Sequence, residues 1–392
     1  MFFPRKIYSE LKKHLYTPEV TVLTGMRRTG KTTLMKQLLS EIPSKNKVFF
    51  DFENVADREL FSQKNYDHIP IILENRGLDL SKKLFISIDE IQLVRNVPSV
   101  LKYLHDHYAI KFLVTGSSSY YLKNLFTESL SGRKKIFELF PLDFGEFLAF
   151  KSVSSVARDF SISRFSSSEY DRLSVWYEEF VRFGGFPEVV LASDDSRKKD
   201  LLVDILNSYI NIDIATLADF RRKDVVYSLM QLLASRVGNR LDYAKLARHI
   251  GISQMTIKSY IDFFEQTYFL YRLPVFSDSA DRVIVKAKKL YFSDSGLLNV
   301  LAEVSSGSQF ENAVFTQLRH HGKLSYYALK NGREVDFIVD KSLVLETKET
   351  PVQTDERTLR SLADKLDIQQ ARLIGRHQSP LYEDYIWGGD IR

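Results

Sequence analysis

Hydrophobic residues in the first third of the chain fall into four short, almost continuous runs. They are VTVLTG, KVFFDFE, KLFISIDE and IKFLVTG, at residues 20–25, 47–53, 83–90 and 110–116. Apolar positions with helical spacing lie between them, such as Val100, Tyr103, Leu104 and Tyr108. Hydrophobic strands that alternate with helices are typical of a parallel sheet covered on both faces. The pattern predicts an α/β domain over residues 1–150.

The pattern becomes helical after this domain. Residues 151–169 are rich in serine and weakly periodic, whereas residues 170–222 have helical spacing that GGFPEVV interrupts at residues 184–190. Glycine and proline interrupt helices because glycine is flexible and proline lacks an N–H group. We therefore predict a helical lid or connector over residues 151–225.

Residues 241–273 have the spacing of a helix-turn-helix. Gly251 is placed to form the turn and Ser253 to cap the second helix. The predicted core positions are Leu246, Ala247 and Ile250 on the first helix and Ile257, Ile261 and Phe264 on the second. Two strand-like runs, at residues 268–276 and 283–293, would form a wing. The pattern predicts a winged helix-turn-helix domain over residues 226–304.

The last segment combines helix and strand patterns in the order αβββαβ. The elements are predicted at residues 310–321, 325–330, 333–339, 343–348, 355–367 and 371–375. The Asn331-Gly332 pair between the first two strands is a strong hairpin signal. We predict a second α/β domain over residues 305–392.

Composition narrows the functions open to this chain of 392 residues. There are no cysteines, which excludes disulfide frameworks, thiolate metal sites and cysteine nucleophiles, and suits a reducing, cytoplasmic compartment. No apolar run is long enough to span a membrane, so we expect no membrane contact. The net charge of +5 permits contact with nucleic acid, and basic residues are clustered. The clusters are Arg133-Lys134-Lys135, Arg197-Lys198-Lys199, Arg221-Arg222-Lys223 and residues 286–289, with solvated surface as the alternative interpretation.

The stretch GMRRTGKT matches the phosphate-binding motif G-x-x-x-x-G-K-[ST] at Gly25, Gly30, Lys31 and Thr32. The glycines let backbone N–H groups approach phosphate oxygens, Lys31 reaches the β and γ phosphates, and the Thr32 hydroxyl binds Mg²⁺. The predicted cofactors are ATP and Mg²⁺. ATP is favoured over GTP because no Asn-Lys-x-Asp segment follows the strands. The predicted nucleotide-binding residues are Gly25, Met26, Arg27, Arg28, Thr29, Gly30, Lys31, Thr32 and Thr33.

Two acids and a hydroxyl at the ends of later strands complete the predicted site. Asp89 is placed to hold Mg²⁺ together with Thr32, and Glu90 to orient or deprotonate the attacking water. The presence of both acids favours hydrolysis over binding alone, with a solvated strand-end acid as the alternative for Glu90. Ser117 is the candidate for contact with the γ phosphate or the water.

Arg133, in the stretch LSGRKK, is predicted to be an arginine finger that reaches the nucleotide of a neighbouring subunit. This role requires self-association into a ring or another homo-oligomer. The alternative is a surface arginine.

These stretches together resemble a large, mostly uncharacterised group of bacterial and archaeal AAA+-like P-loop ATPases that carry a C-terminal region of unknown function. The resemblance rests on residues 25–32, 88–92, 115–118, 132–133 and 141–144, and continues through GGFPEVV, YFSDSGLLNVL, FEN and EVDFIV. It covers nearly the whole chain. It implies that Gly185 and Pro187 form a turn in the lid that holds the adenine nucleotide, and a plain helix break is the alternative.

Two carboxylates are predicted to face each other in the last domain. If the turn at residues 340–342 has three residues, Asp336 lies opposite Glu346, and Lys348 points from the same face. Two acids and a lysine on one face can bind Mg²⁺ and a phosphate. The arrangement is similar to the PD-(D/E)xK nuclease fold, and that resemblance implies a further acid at Glu311.

Structural alternatives are open for these residues. Glu311 stands three residues after Ser308, as in a helix-capping box. Lys348, Lys330 and Arg333 can neutralise the two acids without a metal. The resemblance also implies that many domains of this fold are inactive relatives retained for binding.

The combined prediction is a Mg²⁺-dependent ATP hydrolase coupled to DNA binding or remodelling, helicase-like or translocase-like, with a nuclease-like C-terminal domain. DNA would contact three lysines of the wing, Lys286, Lys288 and Lys289. It would also contact four residues on the second helix of the helix-turn-helix, Gln254, Thr256, Lys258 and Ser259. Winged helices also bind proteins or form oligomers. The competing hypothesis is therefore a signalling or scaffold switch, in which ATP sets the state, the C-terminal domains bind protein and the nuclease site is inactive.

Overall fold

The computed structural model describes residues 3–116, 132–156, 159–215, 223–277, 279–329 and 332–392, except for the side chains of residues 280 and 282. The chain forms two compact units. The first unit is Met1–Phe140 with Gln266–Tyr268, and the second is Pro141–Glu265 with Phe269–Arg392. None of the described helices is both long and apolar enough to cross a membrane.

The first unit contains a five-stranded parallel sheet. Its strands are β1 (Val20–Thr24), β2 (Lys47–Asp51), β3 (Leu84–Asp89), β4 (Ile110–Gly116) and β5 (Lys134–Glu138). They lie in the order β2-β3-β4-β1-β5, with parallel neighbours. The predicted parallel α/β architecture is confirmed for this unit. Strand β4 separates β1, which leads into the glycine-rich loop, from β3, which carries the acids.

Helices pack on both faces of this sheet because its strands present apolar side chains alternately to each face. The helices are α1 (Tyr8–His14), α2 (Lys31–Glu41), α3 (Val55–Phe61), α4 (His68–Asn75) and α5 (Val97–His107). Val22 of β1 belongs to one core cluster with Val114, and Leu23, the next residue, belongs to another with Leu113. The two clusters fix the sheet between its helices.

The sequence analysis does not predict strand β5. Its residues, KKIFE, follow Arg133 and have the composition of a basic surface cluster. Only Phe137 of the five is buried, because β5 lies at the edge of the sheet and, among the described strands, pairs with β1 alone. An edge strand needs fewer apolar residues than a central one, so its hydrophobic signal is weak.

Helices form the first part of the second unit. They are α6 (Phe144–Phe150), α7 (Ser167–Phe183), α8 (Pro187–Leu191), α9 (Asp195–Ser208), the π-helix Tyr209–Ile214 and α10 (Lys223–Ala234). The predicted break is confirmed, since α7 ends at Gly184 with φ of 74° and α8 starts at Pro187. Lys198, predicted within a basic surface cluster, is instead buried with its Nζ 2.9 Å from Oε1 of Glu179.

A helix, a turn and a second helix follow. Helix α11 (Tyr243–Ile250) ends at Gly251, with φ of 76°, and Oγ of Ser253 accepts the N–H of Thr256 at 3.0 Å at the start of α12 (Gln254–Gln266). The predicted turn and cap are confirmed. The buried residues include Leu246, Ala247, Ile257, Ile261 and Phe264, whereas Ile250 is half-buried.

Two short strands, β6 (Leu270–Leu273) and β7 (Lys289–Phe292), form an antiparallel pair after these helices. Between them lies α13 (Ala280–Val285), so residues 283–285 are helical and the strand predicted there is wrong. Ile284 and Val285 are 74% and 82% exposed. β-Branched residues favour strands only where a sheet surface is available to pack against.

A second five-stranded sheet completes this unit. Its elements are α14 (Ser295–Leu301), α15 (Ser306–Leu318), β8 (Leu324–Ala328), β9 (Glu334–Val339), β10 (Leu343–Lys348), α16 (Gln353–Asp364), β11 (Gln370–Gly375) and β12 (Ile386–Trp387). The strands lie in the order β12-β11-β10-β9-β8, antiparallel from β8 to β10 and parallel from β10 to β12. The predicted αβββαβ order is confirmed, with β12 in addition. Asn331 of the predicted hairpin turn lies outside the described residues.

Candidate functional site

A glycine-rich loop connects β1 to α2 in the first unit. Gly25 has φ of 150°, and a Cβ atom there would lie 2.0 Å from the backbone oxygen of Leu139. Gly30, the N-cap of α2, has φ of 95°, which other residues rarely adopt. Lys31 is buried, and its Nζ donates to the backbone oxygens of Gly25 and Met26, both at 2.9 Å. The loop therefore places backbone N–H groups and one ammonium at a helix N-terminus, an arrangement that binds phosphate.

Arg5 braces this loop from outside the motif. Its guanidinium donates to the backbone oxygen of Thr29 at 3.0 Å and to that of Phe140 at 2.8 Å. The arginine is buried in the first unit. The sequence analysis does not identify Arg5, because it lies well before the motif and no fixed spacing relates the two. Among the other loop residues, Arg28 has φ of 62° and is exposed.

Thr32 and Asp89, the two predicted Mg²⁺ ligands, are in contact. Oγ1 of Thr32 donates to Oδ2 of Asp89 at 2.5 Å. Oδ1 of Asp89 accepts the N–H of Glu90 at 3.1 Å and the hydroxyl of Thr115. One carboxylate and one hydroxyl beside a phosphate-binding loop fit Mg²⁺, which usually binds few protein oxygens and completes its shell with phosphate oxygens and water.

Thr115, which has no predicted role, donates its hydroxyl to Oδ1 of Asp89. It is buried on β4, between the loop strand and the acid strand. Ser117, the predicted residue, lies outside the described residues, and its contact with phosphate or water stays a prediction. The available sequence signal for Thr115 is a hydroxyl at the end of a hydrophobic strand.

Glu90 follows β3 in a left-handed conformation, with φ of 51°. Its side chain is only 12% exposed, so it is not a solvated surface acid. The side-chain amide of Gln92 donates to Oε2 of Glu90, and a guanidinium nitrogen of Arg27 lies 3.9 Å from the same oxygen. Gln92 is a further residue that the sequence analysis does not assign. These contacts hold the carboxylate next to the predicted metal ligand.

Arg133 lies at the start of β5. Its Nε is 3.1 Å from Oδ1 of Asp106, and 42% of its side chain is exposed. The residue after it, Lys134, pairs with Val20 at the beginning of β1. Arg133 therefore lies near the beginning of β1, whereas its own glycine-rich loop follows the end of that strand.

Gly185 lies between α7 and α8 in the second unit, and Pro187 is the first residue of α8. The N–H of Gly185 donates to Oδ2 of Asp294 at 2.7 Å, and its backbone oxygen accepts the N–H of Leu142 at 2.7 Å. Burial raises the pKa of Asp294 to about 6, and the hydrogen bond from Gly185 opposes that rise. These contacts give the turn a structural role, and nucleotide contact by Pro187 stays a prediction.

Four acidic residues of the second unit, Glu311, Glu334, Asp336 and Glu346, are named here the acid cluster. Strands β9 and β10 pair with Val339 opposite Leu343, which confirms the predicted three-residue turn and places Asp336 and Glu346 on neighbouring strands. The structure thus brings the predicted acids together. It also adds Glu334, which the sequence analysis does not assign to the site.

A lysine from β7 enters the acid cluster. Nζ of Lys289 lies 3.3 Å from Oδ1 of Asp336, 3.3 Å from Oε2 of Glu334 and 3.5 Å from Oε1 of Glu311. Only 3% of its side chain is exposed. Lys289 is predicted to contact DNA from the wing, and this prediction is wrong because the side chain is buried. No local pattern distinguishes it from Lys286 and Lys288 beside it.

Hydrogen bonds fix the individual acids. Oδ2 of Asp336 accepts the N–H and the hydroxyl of Thr347, at 2.9 and 2.7 Å. The Tyr291 hydroxyl donates to Oε1 of Glu311 at 2.6 Å. Nζ of Lys348 donates to Oε1 of Glu346 at 3.0 Å, so the predicted lysine neutralises one acid directly.

The charges of the acid cluster are strongly coupled. Burial and the neighbouring Asp336 raise the pKa of Glu311 to about 7, against the opposing effect of Lys289. Burial and Asp336 likewise raise the pKa of Glu346. Burial acts to lower the pKa of Lys289, but the carboxylates, with Glu311 first, outweigh it and keep the ammonium charged. Glu311 and Glu346 therefore hold their protons more tightly than free carboxyl groups do.

The residues present do not fit a divalent metal in the acid cluster, because an ammonium already contacts three of its carboxylates. With Lys289 between these carboxylates, no three histidine, aspartate or glutamate side chains in the ranges that the structure describes are arranged to hold a metal ion. The capping-box interpretation of Glu311 is also wrong. Helix α15 is capped by Ser305, whose Oγ accepts the N–H of Ser308, and Glu311 lies beyond its first turn.

The predicted DNA-contacting helix is α12. Gln254, Lys258 and Ser259 are exposed, whereas Thr256 is half-buried and its hydroxyl contacts that of Ser253 at 2.8 Å. The preceding helix also exposes basic residues, Lys245 and Arg248.

Comparisons with known proteins match two separate parts of the chain. Residues 17–148 match the sequence model of an AAA domain, and residues 175–308 match a domain of unknown function. An uncharacterized protein of Methanocaldococcus jannaschii is 28% identical, with 94% of this chain and 84% of the relative covered. One of Haemophilus influenzae is 27% identical, over 83% and 80%.

Among solved structures, the Thermotoga maritima RuvB Holliday junction branch migration motor is 18% identical, with 70% of this chain and 91% of that chain covered and a TM-score of 0.34. PCH-2 of C. elegans is 15% identical, over 52% and 66%, with a TM-score of 0.31. Likenesses at these TM-scores carry no inference about this chain. The match over residues 17–148 shows that the first unit is similar to AAA-type P-loop ATPases.

Proposed function

We propose that the chain is a Mg²⁺-dependent ATP hydrolase. The observation that carries the proposal is the hydrogen bond between Thr32 and Asp89, beside the buried Lys31 and with Glu90 next in the chain. Groups suited to bind phosphate, hold Mg²⁺ and activate water thus converge at one edge of the sheet. Similarity to AAA domains supports the same activity.

In the proposed reaction, water attacks the γ phosphorus of ATP, the bond between that phosphorus and the bridging oxygen breaks, and ADP leaves. Bound Mg²⁺ would neutralise negative charge on the β and γ phosphates. Lys31 exchanges its contacts with the loop carbonyls for phosphate oxygens. Glu90, held by Gln92 and Arg27, orients the water and accepts its proton.

Self-association into a ring or another homo-oligomer is part of the proposal. Arg133 is separated from its own loop by the length of β1, roughly 16 Å for five residues at the usual rise. That position favours action on a neighbouring chain. ATP hydrolysis per chain is then expected to rise with protein concentration, and Arg133→Ala is expected to remove the rise. A specific activity that is independent of concentration across the assembly range would contradict this part.

Coupling to DNA binding or remodelling is proposed for the second unit. Its support is the exposed polar and basic side chains of α11 and α12, which are Lys245, Arg248, Gln254, Lys258 and Ser259. Binding through several phosphate contacts should weaken as salt rises, with a slope of about 0.9 per contact for duplex DNA.

A second candidate is an ATP-dependent signalling or scaffold switch whose second unit binds protein. Lys289 favours this candidate over DNA cleavage, because its ammonium contacts Glu311 and Asp336, two of the carboxylates that a nuclease would use for metal.

One experiment separates the candidates. ATP hydrolysis would be measured in Mg²⁺ with single-stranded, duplex and branched DNA, and without DNA. Stimulation by one form would support DNA-coupled hydrolysis and identify the substrate, whereas equal rates in all four conditions would support the switch. Absence of hydrolysis in every condition would refute the proposed ATP hydrolase, since only a state set by ATP binding would then be compatible with the result.

A further inference from the structure

We propose that Lys289 is a built-in cation that takes the place of a divalent metal in the acid cluster, so that the nuclease-like centre of the second unit is closed and does not cleave DNA. The inference concerns the second unit alone and does not depend on ATP hydrolysis.

The packing of β7 positions the side chain of Lys289. Lys289 belongs to β7, whose other residues, Leu290, Tyr291 and Phe292, are buried. The Tyr291 ring stacks on Phe315 of α15, with ring centres 4.4 Å apart and planes 10° apart. The strand is therefore anchored on the helix that carries Glu311, and packing delivers the lysine to the acids.

Carboxylates surround the ammonium group of Lys289. Three carboxylates lie within 3.5 Å of Nζ of Lys289, and they come from different elements, Glu311 from α15 and Glu334 and Asp336 from β9. Convergent carboxylates are how proteins bind Mg²⁺ or Mn²⁺. A buried group of this kind requires a cation, and the lysine supplies it. A metal could bind the same oxygens only if the ammonium left.

Two other cations, Lys348 and Arg240, also contact acids of the cluster. Lys348 contacts Glu346, and Nε of Arg240 lies 3.1 Å from Oε1 of Glu334. Lys289 contacts both Glu311 and Asp336. Removal of Lys289 would therefore leave these two acids without that cation. A cavity of about 250 Å³ borders Glu334 and Glu346 of the acid cluster.

The test is Mn²⁺ binding to the full chain without nucleotide, measured as the loss of the free Mn²⁺ signal in electron paramagnetic resonance. Wild type and Asp336→Asn are expected to bind the same amount, because Lys289 excludes the metal in both. Lys289→Met is expected to bind one additional equivalent, and the double variant Lys289→Met with Asp336→Asn is expected to lose it. Any Mn²⁺ at the nucleotide site is common to all four proteins and cancels.

Two results would overturn the proposal. The first is wild-type protein that binds Mn²⁺ at a site lost in Asp336→Asn, or that cuts DNA with the same dependence. The second is folded Lys289→Met that gains no Mn²⁺. If Lys289→Met does not fold, the comparison of wild type with Asp336→Asn still decides, and Lys289→Arg, which keeps the charge, is expected to behave as wild type.

Discussion

Replacement of Glu311 by glutamine is expected to stabilise the second unit at neutral and alkaline pH. The pKa of Glu311 is raised from 4.5 to about 7 in the folded protein, first by burial and then by Asp336. The folded state therefore holds this proton more tightly than the unfolded state does. Stability from this group is greatest below about pH 4.5 and is lost as pH rises towards about 7.

The size of the effect follows from the shift. One pKa unit corresponds to about 1.4 kcal/mol, so the shift of Glu311 amounts to roughly 3 kcal/mol in the free energy of unfolding. Glutamine has no proton to lose, and its side-chain oxygen can still accept the Tyr291 hydroxyl. We expect Glu311→Gln to match wild type at about pH 4 and to exceed its stability by up to roughly 3 kcal/mol at pH 8.

The assay uses the two tryptophans of the chain, Trp176 and Trp387, which both lie in the second unit. Denaturant unfolding followed by tryptophan fluorescence therefore reports on that unit. Glu303→Gln is the matched control, since Glu303 is exposed and the substitution is the same. A pH dependence in Glu311→Gln that parallels both wild type and the control would refute the raised pKa of Glu311 in the folded protein.

Three further predictions concern the first unit and DNA. Lys31→Ala is expected to abolish ATP hydrolysis, because no other cation of the loop is placed on the phosphates by the motif, and activity at the wild-type rate would exclude the proposed site. Gly25→Ala is expected to weaken both ATP binding and the stability of the fold, since the new Cβ atom would lie 2.0 Å from the backbone oxygen of Leu139. Calorimetric titration measures ATP binding and thermal unfolding measures stability. Unchanged values would show that the loop accommodates the methyl group. Lys258→Ala is expected to reduce the salt dependence of duplex binding by about one contact, a slope change near 0.9, and an unaltered slope would remove α12 from the DNA interface.

The nucleotide site could be predicted from sequence because its residues are local to strand ends. A motif of fixed spacing defines Lys31 and Thr32, and Asp89 ends a hydrophobic strand. Parallel strands bring such ends to one edge of the sheet, so proximity follows from the fold class. Arg5 and Gln92 were beyond prediction because their roles depend on contacts that no spacing rule encodes.

The acid cluster could be predicted from the sequence only in part. Asp336 and Glu346 could be paired from the hairpin register alone, since side chains alternate along strands. Lys289 could not be assigned, because it comes from a different sheet and its burial is decided by how β7 packs on α15. A lysine among surface lysines gives the same sequence pattern whether it is solvated or buried.

The most direct test of the central claim compares wild type with Glu90→Gln in both ATP binding and hydrolysis. Glutamine keeps the shape of the side chain but cannot accept a proton from water. We expect Glu90→Gln to bind ATP and Mg²⁺ as wild type does and to hydrolyse ATP about 10²- to 10⁴-fold more slowly. Hydrolysis by Glu90→Gln at the wild-type rate would contradict the account.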